Sequence, residues 1–160
     1  MNNVLTVHRV LLENGVRHEI VQLPQTITSA DQLPAVLALP AERCLAVRVY
    51  EVDGRHAAII VPPDLVPSAQ VVREVTGGRS VRPADEAEVS SVTGYAAGLV
   101  APVALPGEIP VYVDQAVTDD ADDGAVVYTA TGESGTALGI GLLDLLAGCA
   151  AKPAALSRRQ

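Results

Sequence analysis

Apolar residues recur at helical spacing at the start of the chain and alternate with polar residues soon afterwards. Asn2 or Asn3 can cap a first helix, whose broad face of valines and leucines ends before Gly15. Residues 16–23 then place side chains on two opposite faces in turn, which predicts a strand. The next helical pattern contains Pro34, so we expect a short or broken helix there.

The middle of the chain predicts a hairpin followed by two helices. Residues 44–50 and 56–61 are aliphatic runs, and the Asp53-Gly54 pair between them favours the tight turn of a hairpin. A helix is predicted over 68–76, before a pair of glycines. Another is predicted over 84–93, where acidic residues near the start complement the helix dipole.

The last third of the chain is rich in strand patterns. These patterns predict strands over 109–114, 125–130 and 136–140, and a final helix over 142–147. Strands and helices are mixed along the chain without a regular βαβ alternation. The sequence therefore predicts an α+β fold with a mixed sheet.

The length of 160 residues suits one domain with a core of its own. We expect the domain to cover residues 1–151 and residues 152–160 to form a flexible C-terminal tail. Hydrophobic residues make up 49% of the chain, yet it contains no Phe, no Trp and four Tyr. The core must therefore be aliphatic, and a platform of aromatic side chains for stacking nucleic-acid bases is excluded.

The charge balance narrows the choice of partners. Eleven basic residues face nineteen acidic ones, which gives a net charge of −8. Binding to duplex DNA depends on Lys and Arg that neutralise phosphates, so a general duplex binder is excluded. Ten of the basic residues are Arg, and the single Lys is Lys152. No apolar run approaches the roughly 20 residues of a membrane helix, so no membrane partner is expected.

Cysteine usage indicates a reducing compartment. Cys44 and Cys149 lie far apart and have no metal-ligand spacing, so no metal site is expected. No cofactor is expected either. The residues from Met1 to Arg9 show neither a basic region nor an apolar region of a secretion signal. These observations together predict a cytoplasmic protein.

Three short motifs invite functional interpretations that the residues support poorly. Gly132-Glu133-Ser134-Gly135 resembles a serine-hydrolase nucleophile elbow, but Thr136 replaces the final glycine. A serine esterase would also need a histidine beside Ser134, and the candidates are His8, His18 and His56. The acidic tract Asp119–Asp123 lacks the glycine and the final glutamate of a calcium loop. Gly139-Ile140-Gly141 does not extend to a dinucleotide-binding motif.

The segment Thr93–Pro102, which reads TGYAAGLVAP, is more specific. It resembles the TGYxxGxxxP signature of the YbaK family, the aminoacyl-tRNA deacylases that include the prolyl-tRNA-synthetase-associated editing domain. The similarity continues through the strand at Ile109–Asp114, through the strand and glycine turn at Val126–Gly135, and into the helix at Asp144-Leu145-Leu146. It covers nearly the whole chain, from about Val4 to Ala150.

The resemblance implies a fold and an activity. Members of this family fold as a single α+β domain around a mixed, partly barrel-like sheet with flanking helices. They are hydrolases that cleave the ester between a mischarged amino acid and its tRNA. The lysine most associated with this activity stands in a Lys-Thr-Leu context, and its place here is taken by Arg43, followed by Cys44-Leu45. Arg stays protonated, so Arg43 can supply a cation but cannot act as a general base.

By this resemblance, Arg43 is the candidate catalytic residue, and the glycine-rich segments are the candidate substrate-binding residues. The latter are Gly98, Leu99, Val100, Ala101, Pro102, Gly132, Ser134 and Gly135. We expect the Arg43 guanidinium to face a glycine-walled cleft formed by these segments. There it would stabilise the oxyanion together with backbone N–H groups.

The sequence therefore predicts a trans-editing deacylase for small mischarged aminoacyl-tRNA of the alanyl or cysteinyl type. Its expected partners are the 3′ end of the aminoacyl-tRNA and an aminoacyl-tRNA synthetase, which would supply phosphate contacts that this acidic chain lacks. The alternative is a catalytically degenerate binding module that keeps the fold and binds a small ligand or a protein. Arg43 in place of Lys favours this alternative.

Overall fold

The computed structural model describes residues 1–119, 122 and 124–157, which form six α-helices and eight strands. The helices are α1 Val4–Glu13, α2 Leu33–Leu37, α3 Ala69–Thr76, α4 Glu86–Thr93, α5 Gln115–Asp119 and α6 Leu142–Cys149. The strands are β1 His18–Gln22, β2 Ala46–Val52, β3 Arg55–Val61, β4 Val81–Pro83, β5 Val111–Asp114, β6 Val126–Thr129, β7 Thr136–Gly141 and β8 Lys152–Ala154. Short 3-10 turns cover Ala30–Gln32 and Ala41–Arg43.

The strands form two sheets. One is antiparallel, with the order β1-β7-β6. The other is mixed, with the order β4-β2-β3-β5-β8, and its β3–β5 and β5–β8 pairs are parallel. Cys44 bridges to Tyr128, and the Leu45 N–H donates to the Tyr128 carbonyl over 2.9 Å, which joins the sheets along one edge. The predicted single-domain α+β fold with a mixed sheet is confirmed.

Local sequence signals account for most of these elements. The Asn3 side chain caps α1 by accepting hydrogen bonds from the N–H groups of Leu5 and Thr6, as the cap prediction required. The hairpin pairs β2 with β3 across Asp53 and Gly54, both of which have positive φ. The helix predicted to be broken at Pro34 is the five-residue α2.

Three short elements were not predicted, and one prediction needs correction. The unpredicted elements are β4, α5 and β8. Residues 152–157 are not a loose tail, because β8 pairs with β5 and Leu156 is 1% exposed. The Leu156 N–H and the Ser157 hydroxyl both donate to the buried Asp114 carboxylate. The remaining tail residues, 158–160, and most of the acidic tract Asp119–Asp123 lie outside the described residues.

The core is aliphatic, as the composition predicts. Its largest cluster packs α1 and α6 against both sheets and includes Val7, Leu45, Ile60, Leu138 and Leu145. A second, smaller cluster fills the space between the start of β2, the end of β6 and the start of β7. The longest described helix has ten residues, so no helix in this part of the chain could cross a membrane.

Tyr95 belongs to the largest core cluster, and its hydroxyl forms one hydrogen bond. The ring is fully buried, and the hydroxyl donates to the Val103 carbonyl. We expect Tyr95→Phe to lower the free energy of unfolding by about 1–3 kcal/mol, because it leaves that carbonyl buried without a donor. Urea denaturation of the two proteins measures the difference. An unchanged midpoint at unchanged slope would contradict this role for the hydroxyl.

Candidate functional site

The Gly98–Pro102 segment is shaped by a close approach of two backbones. Gly98 has φ +85°, and a Cβ placed on it would lie 2.4 Å from the Thr28 carbonyl oxygen. Its own carbonyl accepts a hydrogen bond of 2.9 Å from the Ala30 N–H. Only glycine fits here without strain. The second glycine of the signature, Gly98, therefore docks this loop onto the residues that precede α2.

The residues that follow Gly98 are largely buried. Leu99 is 7% exposed and belongs to the second cluster. Val100 and Ala101 are 3% and 0% exposed and belong to the largest cluster. Pro102 is also buried and lines a groove between α1 and α6. In this conformation the loop contributes mainly to the core. Contact of Leu99, Val100, Ala101 and Pro102 with a substrate stays a prediction.

The glycine turn Gly132–Gly135 connects β6 to β7 and is fixed through its carbonyls. The Ser134 and Gly135 carbonyls accept hydrogen bonds of 2.9 Å from the N–H groups of Ile27 and Leu23. Gly132 has φ +94°, and a Cβ there would lie 2.9 Å from the Asn2 carbonyl oxygen. These contacts hold the turn rigidly between the start of α1 and the segment 23–30.

The N–H groups of the same turn remain available to a ligand. Within the described residues, the N–H groups of Gly132, Ser134 and Gly135 have no hydrogen-bond acceptor, and the three residues are half-exposed or exposed. The Glu133 N–H is different, since it donates to the Thr131 hydroxyl over 3.2 Å. Backbone N–H groups that are fixed in an exposed turn can stabilise negative charge that develops on a substrate oxygen.

The two glycine segments meet around one stretch of chain. The Ile27 N–H donates to the Ser134 carbonyl and the Ala30 N–H donates to the Gly98 carbonyl, so the stretch 27–30 contacts both segments. Small side chains pack directly beneath, because Ala130 and Ala137 share the second cluster with Leu99. The structure thus brings together the parts of the predicted site that lie at Gly98 and at Gly132–Gly135.

Arg43 lies elsewhere, at the mouth of a separate cleft. It ends the 3-10 turn Ala41–Arg43, its side chain is exposed, and its Nε donates to the Val126 carbonyl over 2.9 Å. The cleft has a volume of about 450 Å³. Its lining includes Pro62, Ala116, Val117, Val126, Leu142 and the acidic Glu42 and Asp122. In the described chain the terminal guanidinium nitrogens of Arg43 have no protein partner.

The expected shared cleft is not formed. The Arg43 guanidinium is held at Val126, the first residue of β6, whereas the glycine turn begins beyond the last residue, Thr129. At 3.2–3.4 Å per residue, β6 alone separates the two by about 10 Å. None of the residues from Gly98 to Pro102 or from Gly132 to Gly135 lines the Arg43 cleft. The guanidinium and the glycine turn therefore lie at opposite ends of β6 and do not line one cleft in this conformation.

The structure gives no support to a serine esterase. The His8 and His18 rings hydrogen-bond to each other over 2.8 Å, and His56 pairs with Glu88 over 2.6 Å. Among the residues described, the Ser134 hydroxyl has no hydrogen bond to a histidine. The cysteines are free, and burial raises the pKa of Cys44 to about 11, so this thiol is not a ready nucleophile.

One group with metal-ligand chemistry was not predicted from the sequence. Glu51, His56 and Glu88 place one potential ligand atom each within 4.8 Å of the others. Arg82 occupies this group, because it donates to Glu51 over 2.7 Å and to Glu88 over 3.0 Å. The cross-strand register of the hairpin, which pairs Glu51 with His56, was the signal that could have revealed it.

This ion-pair group predicts a stability change in acid. Hydrogen bonds from His56 and then from Arg82 lower the pKa of Glu88 from 4.5 to about 2. A carboxyl group with a lowered pKa stabilises the fold above its unfolded pKa, and the contribution is lost as the pH falls towards 2. We expect the melting temperatures of the parent and Glu88→Gln to differ near neutrality and to converge between about pH 5 and pH 2. A constant difference across that range would contradict the role of Glu88.

The chain is similar in sequence to part of two curated proline–tRNA ligases. The chain is 33% identical over 86 residues to the proline–tRNA ligase of Desulfovibrio desulfuricans, covering 54% of this chain and 15% of the ligase. It is 26% identical over 87 residues to the proline–tRNA ligase of Bacillus mycoides, with the same two coverages of 54% and 15%. The chain thus spans only about 15% of the length of these curated relatives.

Solved structures share the fold over almost the whole chain. One is described as a candidate trans-editing enzyme for prolyl tRNA synthetase; it matches with a TM-score of 0.80 at 22% identity, covering 94% of this chain and 93% of its own. Another comes from computational grafting of epitopes onto scaffold proteins, with a TM-score of 0.81 at 21% identity and 96% coverage of both chains. At these identities the likeness concerns the fold alone.

The family assignment comes from the sequence of the chain itself. The family model of the aminoacyl-tRNA editing domain matches residues 24–147, which include both glycine segments and Arg43. The matched region is well over half of the chain and carries the signature that the sequence analysis identified. The chain belongs to the aminoacyl-tRNA editing domain family.

Proposed function

We propose that this protein acts in trans and hydrolyses the ester bond of a mischarged aminoacyl-tRNA that carries a small amino acid. Membership of the editing-domain family supports the reaction class. The observation that carries the proposal is the rigid glycine turn, whose Gly132, Ser134 and Gly135 N–H groups have no acceptor in the described chain.

The chemistry needs little beyond positioning and charge stabilisation. A water oxygen attacks the ester carbonyl carbon, and the negative charge that develops on the carbonyl oxygen is held by the N–H groups of the turn. The tetrahedral intermediate then collapses, and the bond between the carbonyl carbon and the ribose oxygen breaks. The ribose oxygen takes up the equivalent of the proton that the attacking water loses, so the products are the free amino acid and tRNA with an intact terminal hydroxyl group.

Small residues near the turn support the choice of a small amino acid. Ala130 and Ala137 are both fully buried, and they pack with Leu99 in the cluster beneath the turn. A close-packed wall of this kind has no room for a large acyl side chain without rearrangement. The proposed substrates are therefore alanyl-tRNA and cysteinyl-tRNA.

Arg43 contacts the tRNA rather than the scissile carbonyl in this proposal. Its guanidinium is fixed by the Val126 carbonyl, and Arg43 lines an open cleft that contains no residue of the glycine turn. A guanidinium with free N–H groups is well suited to bind a phosphate oxygen pair. A synthetase partner would supply further phosphate contacts, since the chain carries a net charge of −8.

This assignment predicts the kinetic effect of replacing Arg43. We expect Arg43→Ala to raise KM for aminoacyl-tRNA about tenfold with a much smaller change in kcat, because one phosphate contact is lost. The slope of log KM against log salt should fall by about 0.7. Arg43→Lys should keep the salt slope, and Arg9→Ala, at another exposed arginine, is the control. A decrease confined to kcat would contradict this assignment and would indicate that Arg43 acts in the hydrolysis step itself.

The experiment that tests the reaction uses purified protein and tRNA charged with different amino acids. Because the curated relatives are proline–tRNA ligases, tRNA for proline charged with alanine, cysteine or proline is the first panel. We expect the alanyl and cysteinyl esters to be cleaved well above the spontaneous rate and the prolyl ester to be spared. No turnover above that rate with any aminoacyl-tRNA would reject the proposal.

A non-catalytic binding module is the second candidate. Two observations favour it: Arg stands where the family has Lys, and its side chain turns towards the Val126 carbonyl instead of the glycine turn. The same assay with Arg43→Lys separates the candidates. If this variant cleaves esters that the parent leaves intact, the parent is a degenerate relative that binds without hydrolysing.

A further inference from the structure

A second cavity, of about 730 Å³, opens at the hairpin end of β2 and β3. It lies between that hairpin, the end of α3 and the loop that leads into β5, and its lining includes Val52, Arg55, His56, Glu108, Ile109 and Tyr112. It shares no lining residue with the Arg43 cleft and contains neither glycine segment. Its volume is in the range of small-molecule sites, yet the proposed hydrolysis leaves it unused.

Two opposite charges line this cavity without neutralising each other. Arg55 is the first residue of β3, and Glu108 lies in the loop before β5; both side chains are exposed. Within the described chain neither forms an ion pair or a side-chain hydrogen bond, with the other or with a third residue. Most other charged groups near the hairpin are paired, as Glu51 and Arg82 are. An unpaired cation and an unpaired anion on one cavity wall suit a ligand that carries both charges.

Two further side chains of the cavity, His56 and Tyr112, have a polar atom without a protein partner in the described chain. The Nε2 atom of His56 is held by the Glu88 carboxylate, so Nδ1 is the ring nitrogen left for a ligand. The half-buried Tyr112 hydroxyl has no hydrogen-bond partner in the part of the chain described here. A small number of polar groups on an otherwise apolar wall is typical of a site that fixes the orientation of a small ligand.

The remaining wall of the cavity is apolar. Val52, Ala57, Ile109 and Pro110 contribute aliphatic surface next to the two charges. A ligand that matches all of these features has a carboxylate for Arg55, an ammonium group for Glu108 and an aliphatic body for the apolar wall. We infer that this cavity binds a free α-amino acid with an aliphatic side chain, at a site separate from the proposed hydrolytic one.

Titration of the labelled protein with L-leucine, followed by NMR, tests this inference. Two matched probes each lack one charge: leucinamide has no carboxylate, and 4-methylpentanoate has no ammonium group. We expect saturable shifts at the amides of Val52, His56 and Ile109 with leucine, and much weaker binding of both probes. Arg55→Gln and Glu108→Gln should each weaken leucine binding about tenfold, as loss of a charge-assisted contact does.

The control is Arg17→Gln, because Arg17 is exposed and lies outside the cavity. It should bind leucine as the parent does. Absence of shifts at millimolar leucine, shifts confined to other parts of the protein, or binding of either single-charge probe as tight as that of leucine would each overturn the inference. An equal loss in Arg17→Gln and Arg55→Gln would do the same. These outcomes do not depend on ester hydrolysis, so they are independent of the proposed function.

Discussion

Gly135→Pro is expected to lose ester hydrolysis by roughly 100- to 1,000-fold, the usual effect of removing one donor to an oxyanion. Proline has no N–H, whereas the Gly135 carbonyl that accepts from Leu23 is retained. The kcat/KM for alanyl-tRNA, measured on protein whose fold has been checked by circular dichroism, gives the size of the loss.

Gly135→Ala is the matched control for this variant. A Cβ at Gly135 meets no atom within 4 Å, so alanine fits and keeps the N–H. Its activity should stay near that of the parent. A folded Gly135→Pro protein with full activity would exclude the turn as the oxyanion site. Amide shifts of Gly132, Ser134 and Gly135 with a non-hydrolysable alanyl-adenosine amide test the same contact without any substitution.

The second large effect concerns stability and falls on Gly98. We expect Gly98→Ala to lower the free energy of unfolding by about 2–5 kcal/mol. This figure is the sum of two costs: a non-glycine residue in a left-handed conformation, and the displacement of neighbouring backbone by the new Cβ. The new Cβ would lie 2.4 Å from the Thr28 carbonyl oxygen, a backbone atom that cannot move aside cheaply. Chemical denaturation monitored by circular dichroism measures the loss.

Two other glycines separate the contributions. Gly15 has φ +68° but open space around it, so Gly15→Ala carries only the conformational cost of about 1–2 kcal/mol. Gly107 has neither a positive φ nor a neighbour within 4 Å, and Gly107→Ala should change stability by no more than about 0.5 kcal/mol. If the free energy of unfolding fell equally in all three variants, the close approach of Gly98 to the Thr28 carbonyl would not contribute to the loss of stability.

The sequence predicted the elements whose signals are local. The Asn3 cap, the Asp53-Gly54 hairpin and the strands that become β6 and β7 follow from patterns within a few residues. The signature around Gly98 was found as a motif, and the structure gives its physical reason, the contact with Thr28. Short elements such as β4 and β8 were missed because three residues carry no periodicity, and both contain a proline.

The position of the Arg43 side chain could not be predicted from the sequence. Its direction depends on the Val126 carbonyl, which lies 83 residues away along the chain. The motif placed Arg43 at the start of a strand but did not reveal which end of β6 the guanidinium would reach. The cavity at Arg55 and Glu108 was missed for the same reason, since the parallel pairing of β3 with β5 brings distant segments together.

The pairing of β8 with β5 has a consequence for how the chain can be shortened or extended. A chain cut after Ala151 would leave the hydrogen-bonding groups of Val111–Asp114 unpaired along a sheet margin rich in valine. Such a margin recruits strands from other molecules and promotes aggregation. We therefore expect the pairing of Lys152–Ala154 to protect this edge from association with other molecules, and a fusion attached through a spacer beyond Ser157 should leave the strand in register.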